Sequence, residues 1–375
     1  MKHTKHKSLL LLLGSVAVTC AATESVLAGG LTTASAAQSG MATVDFVNAK
    51  PMPLPISPVA PNIAEHAKSP AVAFGAAGFS AGGKGTGIQH PVFHGKSAFT
   101  AHGVASDQYG TGGIPFTTAR VKGYGNNAQI YYPFRAAGKL FFNVSGGSAW
   151  CSAGLIKPGV IVTAAHCVAD FGKSKFYSDW VFEPAFVNDI APYGSYTGLK
   201  AMVLTSYFNG TDSCAVSGIV CQDDVAVILL NQSEGKYPGT LTGWFSYGWN
   251  GYSFNSSSQT LVAQLGYPAA LDSGQVMERT DSQGETDPSS SNNTIIGSLQ
   301  TGGSSGGPWV ANLGSPPVLS GISNGTGAAS NTIVGVTSWG YIDTAVKEQG
   351  ASPFTTTNIT VLVNDVCTGA PAGAC

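Results

Sequence analysis

Three short segments of this chain carry side chains that together can run nucleophilic chemistry. They are Val162-Thr163-Ala164-Ala165-His166-Cys167, Asp224-Val225-Ala226-Val227-Ile228-Leu229-Leu230 and Gly303-Ser304-Ser305-Gly306-Gly307-Pro308. A serine hydroxyl is a weak nucleophile until a base takes its proton. An imidazole serves best as that base when a carboxylate holds it in one tautomer. His166, Asp224 and Ser305 supply base, acid and nucleophile in that order, about sixty and then about eighty residues apart.

The order excludes a different architecture. Gly303-Ser304-Ser305-Gly306-Gly307 also fits G-x-S-x-G, the nucleophile turn of α/β-hydrolases, in which the base follows the serine. The seven histidines are His3, His6, His66, His90, His94, His102 and His166, and all precede Ser305. A nucleophile elbow here would have no downstream base.

Elements must hold these groups in place. Val160 to Thr163 reads as a strand that ends in a tight turn at Ala164-Ala165, projecting His166 beside Cys167. Asp224 opens an apolar strand. Asp223 is a rival, but alternation puts the two on opposite faces, and Asp223 is read as a solvated turn residue. Glycines around Ser305 permit unusual backbone angles and close approach of a peptide.

From Lys139 onward, strand signals recur between Gly/Asn/Ser/Pro turns. The predicted strands are 139–144, 150–156, 160–164, 180–186, 199–207, 225–230, 241–247, 260–265, 294–299, 309–311, 332–336 and 359–363. That pattern predicts an all-β sandwich or barrel. One or two helical turns are expected at Ala164–Ala169 and near the last strand.

Only 10% of residues are charged and the formal net charge is −2, with no basic run outside the amino terminus. Nucleic acid is therefore not expected as a partner. From Val121 onward Asp and Glu exceed Lys and Arg, giving a net charge of about −6 and no expected tight anionic partner.

Lys2, Lys5 and Lys7 precede an apolar run from Leu9 to about Ala22, and Val26-Leu27-Ala28 fits a cleavage site. The run is about fourteen residues against the ~20 that span a bilayer, so residues 1–28 read as a signal peptide. The expected product is secreted, with no membrane attachment after cleavage. Cys20 leaves with the signal, so Cys151, Cys167, Cys214, Cys221, Cys367 and Cys375 remain, and their spacing suggests three local disulfides. Zinc is the competing use of such residues, but no C-x-x-C pair exists. No metal and no cofactor is expected.

Residues 29–120 change character, with Met52-Pro53-Leu54-Pro55-Ile56-Ser57-Pro58 and Ala/Gly-rich stretches. They read as a largely disordered pro-segment or linker. His90, His94 and His102 within it read as solvated loop histidines. Cleavage after Arg120 would release the domain 121–375, and Arg135 is a second candidate site.

The three motifs in this order resemble those of the chymotrypsin/trypsin superfamily of serine proteases. The resemblance covers roughly residues 139–365. It implies two six-stranded antiparallel β-barrels, a His166-Asp224-Ser305 triad, and an oxyanion hole from the Gly303 and Ser305 amides. The segment opening at Asp224 resembles the D-[IV]-A-[LV] strand of trypsin-like enzymes, favouring Asp224 over Asp223. Thr337-Ser338-Trp339-Gly340 resembles the strand that binds substrate backbone antiparallel and walls the primary pocket, with Leu299 or Gln300 near its floor. That implies polypeptide substrates.

Ser304 departs from the pattern, since trypsin-like zymogens place there an Asp that pairs with the new amino terminus. Together with Leu265-Gly266-Tyr267-Pro268, this is similar to the secreted microbial glutamyl-endopeptidase-like branch. Thr337 stands where the glutamyl-specific members carry His, and Asp343 is within reach of the pocket by sequence. Uncharged P1 residues and a monomer are expected. Two rivals remain: a catalytically silent binding protein on the same fold, and an esterase.

Overall fold

Apolar runs set the first six strands: Ala137–Val144 (β1), Gly147–Lys157 (β2), Val160–Thr163 (β3), Ser178–Pro184 (β4), Tyr196–Leu204 (β5) and Ala226–Leu230 (β6). They pair antiparallel in the order β1-β2-β3-β6-β5-β4, and β4 pairs back onto β1, closing a barrel. Gln259–Gly266 (β7), Glu278–Asp287 (β8), Ser290–Gly297 (β9), Pro308–Ala311 (β10), Thr332–Tyr341 (β11) and Glu348–Pro353 (β12) repeat the scheme. Their order is β7-β8-β9-β12-β11-β10, and β10 returns to β7. The protein is thus all-β, built on two closed six-stranded barrels of identical topology.

The computed structural model describes residues 32–38, 43–57, 76–94, 108–109, 114–121, 128–212, 223–287, 290–314, 329–341 and 346–375. The predicted signal peptide, Cys214, Cys221, Asp343 and His102 lie outside these residues.

Two apolar layers explain the near-continuous hydrophobicity of the first barrel. Leu140, Phe142, Ala153, Leu155, Ile161, Val203 and Ile228 form one buried cluster. Alternate residues, among them Phe141, Val160, Val162, Val227 and Leu229, pack with Leu265, Val310 and Val336 of the second barrel. Each such fully buried aliphatic side chain contributes roughly 1.5–3 kcal/mol.

Three sequence expectations are corrected. Residues 359–363 are not a strand: Ile359–Cys367 is an α-helix, started by Asn358, whose side chain accepts from the Ile359 N–H. Its β-branched composition suggests a strand. Ile359, Leu362, Val363 and Val366 instead recur at helical spacing and are buried in the inter-barrel cluster. Thr205–Asn209 and Pro238–Thr242 are likewise short helices at the ends of predicted strands. The polar strands β8 and β12 were not expected.

The stretch 29–120 does not lie apart from the barrels. Thr33–Ala37 pairs with β5, Lys50–Pro51 with β2, Ile56–Ser57 with β11 and Pro115–Arg120 with β8. Arg120 is bonded to Asp272, and Val121 is buried with its N–H on the Met277 carbonyl. Arg135 donates to the Thr242 and Lys84 carbonyls. His94 is not solvated: it bonds to buried Glu183 and stacks on Phe46. His90 is partly exposed, near Glu234.

Candidate active site

Strand β3 is wholly buried, and the chain turns behind it through the 3₁₀ turn Ala165–Cys167. That turn presents His166, which is 6% exposed. Cys167 is disulfide-bonded to Cys151 of β2, which ties the turn to the adjacent strand. Closing a loop of this size contributes about 3 kcal/mol in the chain-entropy description. The two sulfurs are consumed by each other and so offer no thiolates to a metal beside His166. Cys367 and Cys375 are also bonded.

Asp224, fully buried, meets His166 twice. The His166 backbone N–H donates to Oδ1 at 2.8 Å, and the ring Nδ1–H donates to Oδ2 at 2.8 Å. The Ser338 hydroxyl also donates to Oδ2. These bonds place the ring proton on Nδ1, leaving a lone pair on Nε2.

Asp223 is not the solvated turn residue expected. It is buried, accepts from the Ser206 hydroxyl, and desolvation pushes its carboxyl up to about 6.

The Ser305 turn is clamped between the barrels. The Ser152 N–H donates to the Ser305 carbonyl at 2.8 Å, and the Ser152 hydroxyl donates to the Gly303 carbonyl at 2.9 Å. On the other side, the Gly306 N–H donates to the Thr337 carbonyl at 2.8 Å. Gly306 has φ +73° and a Cβ there would stand 1.9 Å from Thr163 Oγ1, so only glycine fits. The nucleophile turn therefore packs against the end of β3, just before His166. Ser305 Oγ and His166 Nε2 are both buried, and neither has a hydrogen-bond partner.

Gly303 has φ +92°, and its N–H donates to the Met52 carbonyl at 2.9 Å. Ser304 does what an Asp would not: its hydroxyl closes the turn locally on the Thr301 carbonyl at 2.7 Å.

A cavity of about 450 Å³ opens beside this turn. Leu299 and Gln300 line it, with Ser298, Gly302, Gly340 and Lys347. Thr337, Ser338 and Trp339 do not. Thr337 Oγ1 accepts from Gln264 Nε2 at 2.8 Å and Trp309 Nε1 at 2.9 Å. Trp339 is buried with its indole N–H on Asn293 at 2.9 Å. These side chains build the wall from behind, and Gly340 alone of the four faces the cavity.

Gln264, Gln349 and Ser152 escaped sequence reasoning. Gln264 Nε2 also donates to Gln349 Oε1, and Gln349 Nε2 donates to the Gln300 carbonyl at 2.8 Å. The one available signal was the position of Ser152 directly after a bridged cysteine. Nothing in local spacing marked the glutamines.

Two closed six-stranded antiparallel barrels, with His166 and Asp224 on the first and Ser305 on the second, are the chymotrypsin-like fold. The profile described as Trypsin matches residues 129–364, and the chain belongs to that family. Glutamyl endopeptidase of Bacillus licheniformis is 24% identical over 145 residues, 38% of this chain and 39% of that protein. The match thus spans about two fifths of that relative's length.

The crystal structure of protease Anisep from Arthrobacter nicotinovorans aligns with a TM-score of 0.50 at 24% identity, over 62% of this chain and 96% of that one. It shares the fold. The thermostable serine protease AL20 from an extremophilic microorganism aligns at 0.49 and 23% identity, over 63% of this chain and 98% of that one. Among the described residues, no helix is long and apolar enough to cross a membrane.

Proposed function

We propose that this chain is a secreted serine endopeptidase that cleaves peptide bonds through an acyl-enzyme. Ser305 attacks the scissile carbonyl. His166 Nε2 takes the hydroxyl proton and returns it to the leaving amine, while Asp224 fixes the ring and stabilises the imidazolium. The Gly303 and Ser305 amides bind the oxyanion, where losing one donor typically costs about 3 kcal/mol. Ser305 Oγ turns to Nε2 as substrate enters, since catalytic hydrogen bonds often tighten only in the complex.

The carrying observation is the double bond from His166 to buried Asp224, which leaves Nε2 bare. Family membership supports the same reading.

The test is cleavage of a denatured peptide mixture by the matured protein, read by mass spectrometry beside Ser305→Ala. New termini absent from the control establish the peptidase and report its P1 preference. Identical peptides from both would leave a silent binding protein on this fold. Turnover of esters without amides would indicate an esterase instead.

A further inference from the structure

The proline-rich stretch Met52-Pro53-Leu54-Pro55 has no part in the mechanism above, yet it lies in the cleft. The Met52 N–H donates to the Trp150 carbonyl at 2.9 Å, and the Met52 carbonyl accepts from the Gly303 N–H at 2.9 Å. Met52 packs against the cluster that contains Cys151 and Cys167. Pro53 and Leu54 line the cavity beside Ser298 to Gly302. The Pro55 carbonyl then accepts from the Gly340 N–H at 3.0 Å, and Ile56–Ser57 continue parallel to β11.

We infer that residues 50–57 are a built-in inhibitor that crosses the active site with its chain direction reversed. The inference rests on the reading of the site as a peptidase. A substrate of that site places its scissile carbonyl on the Gly303 amide, and the residues before that carbonyl fill the cavity and pair antiparallel with Ser338 to Gly340. In this segment the residues after the carbonyl fill the cavity instead, and they run parallel to β11 at Gly340 and Tyr341. The Met52 carbonyl occupies the donor that a transition state needs. The nitrogen that would leave belongs to Pro53, which lines the cavity beside Gly302. A carbonyl so placed blocks the site without being cut.

Composition suits the task. Proline at 51, 53 and 55 fixes φ at alternate positions and favours an extended chain, so little conformational freedom is lost on docking. The preceding residues anchor the segment. The Asp45 N–H donates to Ser148 Oγ at 2.9 Å, and Phe46 stacks on His94 with centroids 4.0 Å apart and meets Phe141 edge-on. Tethering makes the docking intramolecular, which raises its effective concentration.

The test uses the full uncleaved chain and a serine-directed phosphonate, with labelling of Ser305 followed by intact mass. Met52→Pro deletes the N–H that Trp150 accepts, and a double Pro53→Gly, Pro55→Gly variant loosens the segment without adding bulk. Each should label about tenfold faster than wild type, Met52→Pro through loss of about one net hydrogen bond and the double variant through the greater freedom of the undocked segment. A capped peptide of residues 50–57 added to the double variant should slow labelling again and be recovered uncut.

Equal labelling of wild type and both variants, whether fast or absent, overturns the inhibitory segment. Scission of the peptide after Met52 overturns its reversed direction. The catalytic reading is judged separately, by the matured protein's action on the peptide mixture.

Discussion

The two barrels share one topology but differ in what fills them. The first, which carries His166 and Asp224, is packed with Leu140, Phe142, Leu155, Ile161, Val203 and Ile228. The second, which carries Ser305 and the cavity, holds buried Gln264, Thr280, Ser298, Gln300, Thr337 and Gln349 beside a smaller apolar cluster around Val262, Trp309 and Val334. The difference teaches a division of labour. A base and its carboxylate need a rigid, dry frame in which a hydrogen bond is strong. A cavity wall needs fixed polar groups, and these remain affordable inside a barrel only when each finds a partner.

Breaking the His166–Asp224 pair of the first barrel should give the largest effect. Asp224→Asn removes the acceptor that sets the His166 tautomer, and kcat for an amide substrate is expected to fall about 10⁴-fold. A fall of less than tenfold in a correctly folded variant would falsify the assignment of Asp224.

Next in size is the apolar frame. Ile228→Ala opens a cavity in the first barrel and should cost about 2–5 kcal/mol in chemical denaturation. In the second barrel, Gln264→Leu takes one partner from each of Thr337, Gln349 and Ser298, with an expected loss of about 1–3 kcal/mol. If Gln264→Leu proved neutral or stabilising, the amide network would not be holding the cavity wall, and the contrast between the barrels would lose its meaning.

The smallest effect sharpens the comparison at the edge of the first barrel. Asp223 has its carboxyl raised from 3.8 to about 6 by burial. A raised acid favours the folded state fully below its unfolded value, and that contribution is lost as pH rises through the folded one. Asp223→Asn removes the charged form, so above pH 6 it should be more stable than wild type by on the order of 1–2 kcal/mol, seen as a higher Tm. The two proteins should converge below about pH 4. Equal Tm differences at pH 4 and pH 8 would show that Asp223 is not the titrating group.

The same contrast explains what was legible. Strands of the first barrel announce themselves because both faces are apolar, so Val160 to Thr163 and Ala226 to Leu230 stand out as hydrophobic runs. Strands β8 and β12 have buried residues such as Thr280, Ser282, Glu348 and Gln349. Their polar inner faces look like loops until cross-strand partners are known. The helix at Ile359–Cys367 was hidden by its β-branched composition and resolved by burial of one face.

Sequence by itself determined which residues are candidates for the chemistry: His166, Asp224 and Ser305, their order, and the glycines around Ser305 are all read from local segments. Its cysteine spacing only suggested local disulfides, and the structure decided the Cys151–Cys167 and Cys367–Cys375 pairings. Tertiary structure alone decided which side chains support those groups. Ser152 holding the Ser305 turn, Gln264 bonding to Thr337 and Met52 meeting Gly303 all join residues far apart in the chain. Such contacts follow from barrel closure, which brings distant strands together at distances no local pattern records.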